Sequence, residues 1–457
     1  MIQMPPNRRS ALLALLLAAA PAYLDAQDTV PRGEPLSLQQ AMAAAEENNP
    51  QYRRALTEIG TAEAEVRRAR GAFLPEVSAS LQVGGSYNRR LTGEGQFGEV
   101  VPRDEPLIIK GSDTRQNIGL NALNLYDGGQ RRRDLRAARA GQLVVGARVG
   151  TEQVRVRAEV ARRYWESVRT DRVIRLEEAL LGSARDRVAV TQALVRVGVR
   201  GPLDVLGAEV AVAEQEQALE RARGDARKAQ LDLRQAMGVI QGGWLRLTDE
   251  PPALFDPTGL DTEALVQAAL AAHPRIQRVE LAVRQSEERL SSARSLRMPR
   301  LSMNAGLGRA QSYDDYSGLY DINPLNQSAN IGFSLQVPLF TGHRTSYQIQ
   351  SARAARDAAG EDVRAERLTL EREVRSAVVD LENAYRAAQL AERTLDLNRQ
   401  RLELAQEQYR VGALTLNDLT DAVERTSRAE RDALRTRFEF AAALATLEER
   451  TGAPVRP

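Results

Sequence analysis

Few residues of this chain could do chemistry, and they are scattered. The two histidines, His273 and His343, fall at a helix junction and a strand-to-helix junction. Nothing in the sequence groups either one with a second ligand or a nucleophile. Asp314-Asp315 could offer oxygens to a cation, but the pair sits in a polar stretch that reads as solvated loop. The chain has no cysteine, which removes thiol catalysis, disulfides and an acceptor for an N-terminal lipid. It also lacks a GxxxxGK[ST] loop, so no nucleotide drives work here. These observations point away from an enzyme, a cofactor or a resident metal. The 63 basic and 61 acidic residues interleave to a net charge of +2, with no basic-aromatic stripe for nucleic acid.

The elements that hold these residues are written twice. Asn49-Pro50 and Pro75 recur as His273-Pro274 and Pro299, 224 residues later. The offset then becomes 214 and stays there: Asp127-Gly128 with Thr341-Gly342, Arg196-Val197-Gly198 with Arg410-Val411-Gly412, and Gly238 with Gly452. Such regularity marks two copies of one structural unit. We place the copies at 36–238 and 261–452, with a linker at 239–260 and a short tail at 453–457. Ahead of them, Arg8-Arg9 and the apolar run Ala11 to Ala20 read as a secretory signal peptide over 1–26, cleaved after Ala22 or Ala26. No later stretch is apolar enough for a transmembrane helix.

Four segments alternate with period two, at about 76–84, 116–126, 300–308 and 330–340. One face is apolar, as in Val77, Ala79 and Leu81, and the other polar, as in Ser78, Ser80 and Gln82. This pattern suits a strand between lipid and a wet lumen. Each copy has a strand pair joined by a polar loop, about Gly84 to Arg115 and Gly308 to Ala329. Four strands cannot close a barrel, and open edges are not tolerated in lipid. Membrane strands would therefore have to be shared among chains: two chains supply eight and three supply twelve.

No proline interrupts about 130–195 or 344–409, and each run would reach on the order of 100 Å as a helix. Apolar or small residues recur in steps of four and three from Leu370 through Val374, Ala377, Leu381 and Ala388 to Leu402, Ala405 and Tyr409. Val160, Ile174, Leu181, Val188 and Val195 carry the same phase in the first copy. That heptad seam predicts supercoiled helices. Each run ends at a glycine, Gly198 or Gly412, suited to a left-handed cap, and then returns. Asp127 and Thr341 stand where N-caps would start the long helices. The low aromatic share (4%) beside 27% charged residues agrees with narrow seams and solvated helix faces. The fold class is mainly α with membrane β: duplicated long coiled-coil hairpins plus four transmembrane strands.

Taken in order, these residues resemble the TolC-like outer-membrane efflux proteins. The carriers are Asn49-Pro50 with His273-Pro274, Phe73-Leu74-Pro75 with Arg297-Met298-Pro299, and Leu125-Tyr126-Asp127-Gly128 with Leu339-Phe340-Thr341-Gly342. The glycine turns, with Asp204 and Asp418 beyond them, complete the set. The resemblance implies a homotrimer with a 12-stranded outer-membrane β-barrel in lipid and a periplasmic α-helical tunnel. It implies an exit duct that receives substrate from an inner-membrane RND, ABC or MFS transporter through a periplasmic adaptor (membrane fusion) protein. Type I protein secretion is the alternative cargo route, and a non-pore periplasmic coiled-coil scaffold is the alternative class. The resemblance further implies an acidic constriction at Asp418 and Asp421, with Asp204 at the partner tip. Tip closure and adaptor contact would fall to Arg196, Gly198, Arg200, Tyr409, Arg410 and Gly412. One departure is Leu414, where some members carry a basic closing residue; Arg200 of the first hairpin could take over.

Overall fold

The computed structural model describes residues 35–94, 100–239, 243–319 and 325–455; the signal segment lies outside them. In chain order the first copy comprises β1 (Pro35–Leu36), α1 (Leu38–Asn48), α2 (Pro50–Gly71), β2 (Glu76–Glu94), β3 (Val100–Tyr126), α3 (Gln130–Arg196) and α4 (Pro202–Met237). After β4 (Arg246–Leu247) come α5 (Thr262–Ala272), α6 (Pro274–Ser295), β5 (Arg300–Tyr313), β6 (Asn326–Gln336), α7 (Arg344–Arg410) and α8 (Leu416–Thr451). Matching helices have equal lengths: 67 residues for α3 and α7, 36 for α4 and α8, and 22 for α2 and α6. No described helix is long and apolar enough to cross a membrane.

The heptad seam is the packed face. Leu370, Val374, Leu381, Ala388, Ala405 and Tyr409 are buried along α7, and Val160 and Leu181 along α3. Two clusters form the core at mid-length. One gathers Val160, Tyr164, Leu233 and Met237 with Phe438 from the other copy; the second gathers Ile276, Leu370, Leu381, Phe440 and Leu447. Phe438 and Phe440 both lie on α8, so the two copies share one core rather than standing apart. The linker is pinned to the first cluster. Gln230 exchanges two 3.1 Å hydrogen bonds with the Leu245 backbone, and the buried Tyr164 hydroxyl donates to the Leu36 carbonyl at 2.9 Å.

Short helices meet at capped joints that show how the copies diverged. Asn49 caps α2: its Oδ1 accepts from the amides of Gln51 and Tyr52, while Nδ2 donates to the Ala236 carbonyl. His273 does the same for α6 with a ring. Its Nδ1 accepts the Arg275 amide N–H at 3.1 Å, which leaves the proton on Nε2, 3.1 Å from the Glu449 carbonyl. Burial pushes the imidazole pKa below its ordinary value, against the pull of the Glu449 carbonyl.

The four long strands form one antiparallel sheet in the order β2-β3-β5-β6, with the copies joined at β3–β5. The strands differ from the expected spans. β2 continues to Glu94 and β3 begins at Val100, so most of the expected first loop is a paired ribbon in which Ser86 to Arg90 face Leu107 to Gly111. A ladder of backbone bonds persists in water without apolar alternation, and so the period-two signal fades before the strands end. β6 runs from Asn326 to Gln336 instead of 330–340. Pro338 has no amide proton for the ladder and restricts Val337 before it. The long helices begin at Gln130 and Arg344, where the proline-free runs start, but their N-caps are left-handed Gly129 (φ 83°) and His343 (φ 64°) and not Asp127 and Thr341. Asp127 still serves the first turn from two positions upstream, accepting from the Gly129 and Arg131 amides.

Candidate functional site

The two hairpin turns are built alike. At the first, α3 ends and Gly198 adopts φ 76°; the Val199 amide bonds back to the Leu194 carbonyl at 3.0 Å. At the second, Gly412 adopts φ 79° and the Ala413 amide reaches the Gln408 carbonyl at 2.9 Å. A side chain at either glycine would be strained in this left-handed conformation, which closes the helix in the fewest residues. The returning helices start differently. α4 has Gly201 as N-cap with Pro202 next, whereas Thr415 caps α8 by accepting from the Asp418 amide.

Arg200 joins the turns. Its Nη2 donates to the Leu414 carbonyl at 2.6 Å and to the Tyr409 carbonyl at 3.2 Å, and its guanidinium lies 4.2 Å from the centre of the Tyr409 ring. Leu414 is the position equivalent to Arg200 in the second copy, so one arginine spans both turns. The guanidinium stacks on one face and donates along its edge, a combination lysine cannot match. Tyr409 is buried, and its hydroxyl has no hydrogen-bond partner among the described residues.

The acidic residues are less alike than their resemblance implied. Asp418 sits in the first turn of α8, where its Oδ2 accepts the Thr415 hydroxyl at 2.6 Å. Asp421 lies between Arg425 at 2.9 Å and Arg401 at 3.1 Å. The hydrogen bond from Arg425 holds its carboxyl below the usual range. Asp204 occupies the first turn of α4 and has no side-chain partner among the described residues. Arg196 ends α3 without one, and Arg410 pairs with Glu407 at the surface. The fold therefore joins Arg200 directly to Tyr409 and Leu414, and among the described residues Asp204 makes no hydrogen bond with Asp418 or Asp421.

Sequence reasoning missed a second link between the hairpins. Glu177 of α3 is buried and accepts two hydrogen bonds from Arg431 of α8, at 2.6 and 2.8 Å, and another from Gln215 of α4. Burial pushes this carboxyl up, but the guanidinium outweighs it and holds it charged. The signal was present: Glu177 occupies the place that Ala391 holds on the second seam. Below it a cavity of about 580 Å³ separates the hairpins, lined by Arg187, Thr191, Tyr409 and Leu419 among others. Arg187 is the counterpart of Arg401, but Gly207 and Ala211 stand where the second copy has Asp421 and Arg425. The two tips are thus charged differently despite their common backbone. Among the described residues, no group of three or more His, Cys, Asp or Glu is arranged to hold a metal.

The family model described as outer membrane efflux protein matches residues 41–239 and 265–453. The chain belongs to that family. Membership places this efflux-family protein in the outer membrane with a long periplasmic helical portion, and the family's channels work with adaptors and inner-membrane transporters. Among curated relatives, Protein CyaE of Bordetella pertussis is 26% identical over 330 residues, covering 71% of this chain and 64% of its own length. Outer membrane protein TolC of Vibrio cholerae is 22% identical and aligns over 89% of both chains. The CusC crystal structure superposes with a TM-score of 0.74 at 17% identity, covering 91% of this chain and 92% of that one. At that identity the structural likeness speaks for the fold. The open four-stranded sheet of a single efflux-family chain is consistent with a barrel completed by other copies.

Proposed function

We propose that this protein is the passive exit duct of a tripartite efflux pump and not an enzyme. Three copies would close a twelve-stranded barrel and continue it as a helical tunnel. The observation that carries this reading is a sheet with two unpaired edges, β2 and β6, joined directly to unpartnered helix faces. On α7, Leu390, Leu397 and Leu404, followed by the C-cap residue Val411, are exposed at seven-residue intervals, apart from the buried seam. On α4, Leu203, Leu206 and Val210 are exposed as well. A second apolar stripe at heptad spacing is what a helix needs to pack on a neighbouring copy.

In such a trimer the turns would converge on one axis. Asp418 and Asp421, with Asp204 from the other tip, would set rings of carboxylates there that favour cations and resist narrowing. Arg200 and Tyr409 would hold the two hairpins of a protomer together, with Arg196, Gly198, Arg410 and Gly412 presented to a periplasmic adaptor. Energy would come from the inner-membrane transporter behind that adaptor. We favour small molecules as the cargo, with type I protein secretion as the alternative.

Single-channel recording in a planar bilayer tests the reading, with Asp418→Ala/Asp421→Ala beside the wild type. A small cation-selective current that grows in the double variant supports the duct and its constriction together. A wild-type protein that passes no current and stays in the aqueous fraction would leave only a scaffold. Intact trimers of unchanged conductance in the variant would remove the carboxylates from the constriction.

A further inference from the structure

We infer that the strand–helix junctions form an arginine band that docks on anionic phospholipid headgroups of the leaflet facing the periplasm. The inference rests on the outer-membrane placement and not on conductance. Strand register brings all four junctions to one end of the sheet: Glu76 opposes Asn121, Leu301 opposes Tyr126, and Arg300 opposes Gln336. Side chains tie the first three junctions into one layer. Arg131 lies over the Phe73 ring, Arg133 donates to the Ser291 carbonyl, and Arg300 donates to Gln130.

Charge is concentrated in this layer. Residues 66–76 hold three arginines and one carboxylate, 127–140 hold five and two, 290–300 hold three and none, and 341–353 hold two and none. These stretches hold thirteen arginines and three carboxylates in a chain whose net charge is only +2, and Arg67, Arg68 and Arg136 pair with Glu63, Glu65 and Glu288 at their margins. The rest of the protein is net acidic, so this band is not the overspill of a basic protein. Neither of the two lysines lies in it.

Much of that charge has no work inside the fold. Arg132, Arg136 and Arg139 are exposed at i, i+4 and i+7 on one face of α3. The side chains of Arg132, Arg139, Arg294, Arg297 and Arg344 make no hydrogen bond or ion pair among the described residues. Beside them stand exposed apolar and aromatic groups: Leu339 (93% exposed), Phe340, Leu74, Met298 and Tyr347. Large apolar groups edged by cations match the boundary between acyl chains and headgroups. The planar guanidinium matches a phosphodiester with two parallel bonds.

The test uses the purified full-length protein in nanodiscs of phosphatidylcholine alone or of equimolar phosphatidylcholine and phosphatidylglycerol. Lipid that stays bound on extraction into detergent is measured by native mass spectrometry. Each arginine at an anionic surface is worth roughly fivefold in binding. Wild type should therefore retain phosphatidylglycerol over phosphatidylcholine by several-fold, and high salt should erode the preference. Arg132→Gln/Arg139→Gln/Arg294→Gln/Arg297→Gln should bring the ratio close to one with ion selectivity unchanged. Equal retention of both lipids by wild type would overturn the proposal, and this arm stands even if the variant does not assemble. A variant that keeps the preference would overturn it too. So would a shift in ion selectivity without a change in lipid, since the arginines would then line the lumen. Displacement of the lipid by inorganic phosphate at matched ionic strength would mark a simple phosphate site instead. A protein that conducts nothing yet retains phosphatidylglycerol would sink the duct and spare the band.

Discussion

Two side chains decide how the parts of one protomer hold together, and each invites a substitution. Arg200 bonds two carbonyls of the opposite turn and stacks on Tyr409. Hydrogen bonds from a charged donor contribute about 1.5–3 kcal/mol, and a desolvated cation–π contact about 2 kcal/mol. Arg200→Ala should therefore loosen the tip by several kcal/mol and raise single-channel conductance. Arg200→Lys should recover only part, because an ammonium cannot stack and fork together. An unchanged current from both would show that the tip is held elsewhere. His273 is the titratable counterpart of Asn49. In the fold its pKa lies below the ordinary value near 6.5, so the unfolded chain binds the proton more readily. The joint's contribution is thus complete above about pH 6.5 and lost as pH falls through the folded value. Protonation would set an N–H against the Arg275 amide, with Arg450 adding repulsion and Glu366 attraction. Thermal midpoints measured from pH 7.5 down to 5 should fall in the wild type and stay flatter in His273→Asn. Sequence reading found Arg200 because it sits opposite Leu414. It gave no role to His273, because a cap is a property of the joint and not of a spacing.

At the scale of elements, long-range regularity was legible and boundaries were not. The seam of α7 could be read from Leu370 to Tyr409 because each step of three or four repeats the same physical demand. Beyond the apolar stretch the strands lost that demand, and β2 and β3 run on as a ribbon that composition described as loop. Glu177 broke the seam rule at a place where a buried carboxylate pairs across the hairpins. The second stripe on α7 was equally invisible, since its leucines look like ordinary variation until the buried face is known. Its prediction is direct. Leu397→Asp with Leu404→Asp leaves the hairpin seam untouched and sets carboxylates on the face proposed to meet another copy. Mass photometry should find the wild type as trimers and this variant dissociated, with the helical content by circular dichroism preserved. Trimers of unaltered stability would assign that stripe to something other than subunit packing.

On the scale of the whole molecule, duplication gives a protomer two hairpins of one backbone design and unequal charge. Gly207 and Ala211 stand where the second copy has Asp421 and Arg425, so Arg187 has no counterpart of the carboxylate that Arg401 meets. The equality of the helices has a further consequence: this protein is a ruler. Two 67-residue helices descend and two 36-residue helices return, so the distance between membrane and tip is counted in residues at about 1.5 Å each. One residue lost from one helix would turn its seam by about 100° and bury charge. Seven lost together from α3, α4, α7 and α8 would keep every seam in phase and shorten the reach by about 10 Å. Electron microscopy of that variant should show an intact, shorter tunnel, while cells producing it should lose efflux until the adaptor is lengthened to match. In the proposed duct, the reach from the outer membrane into the periplasm is a number of heptads.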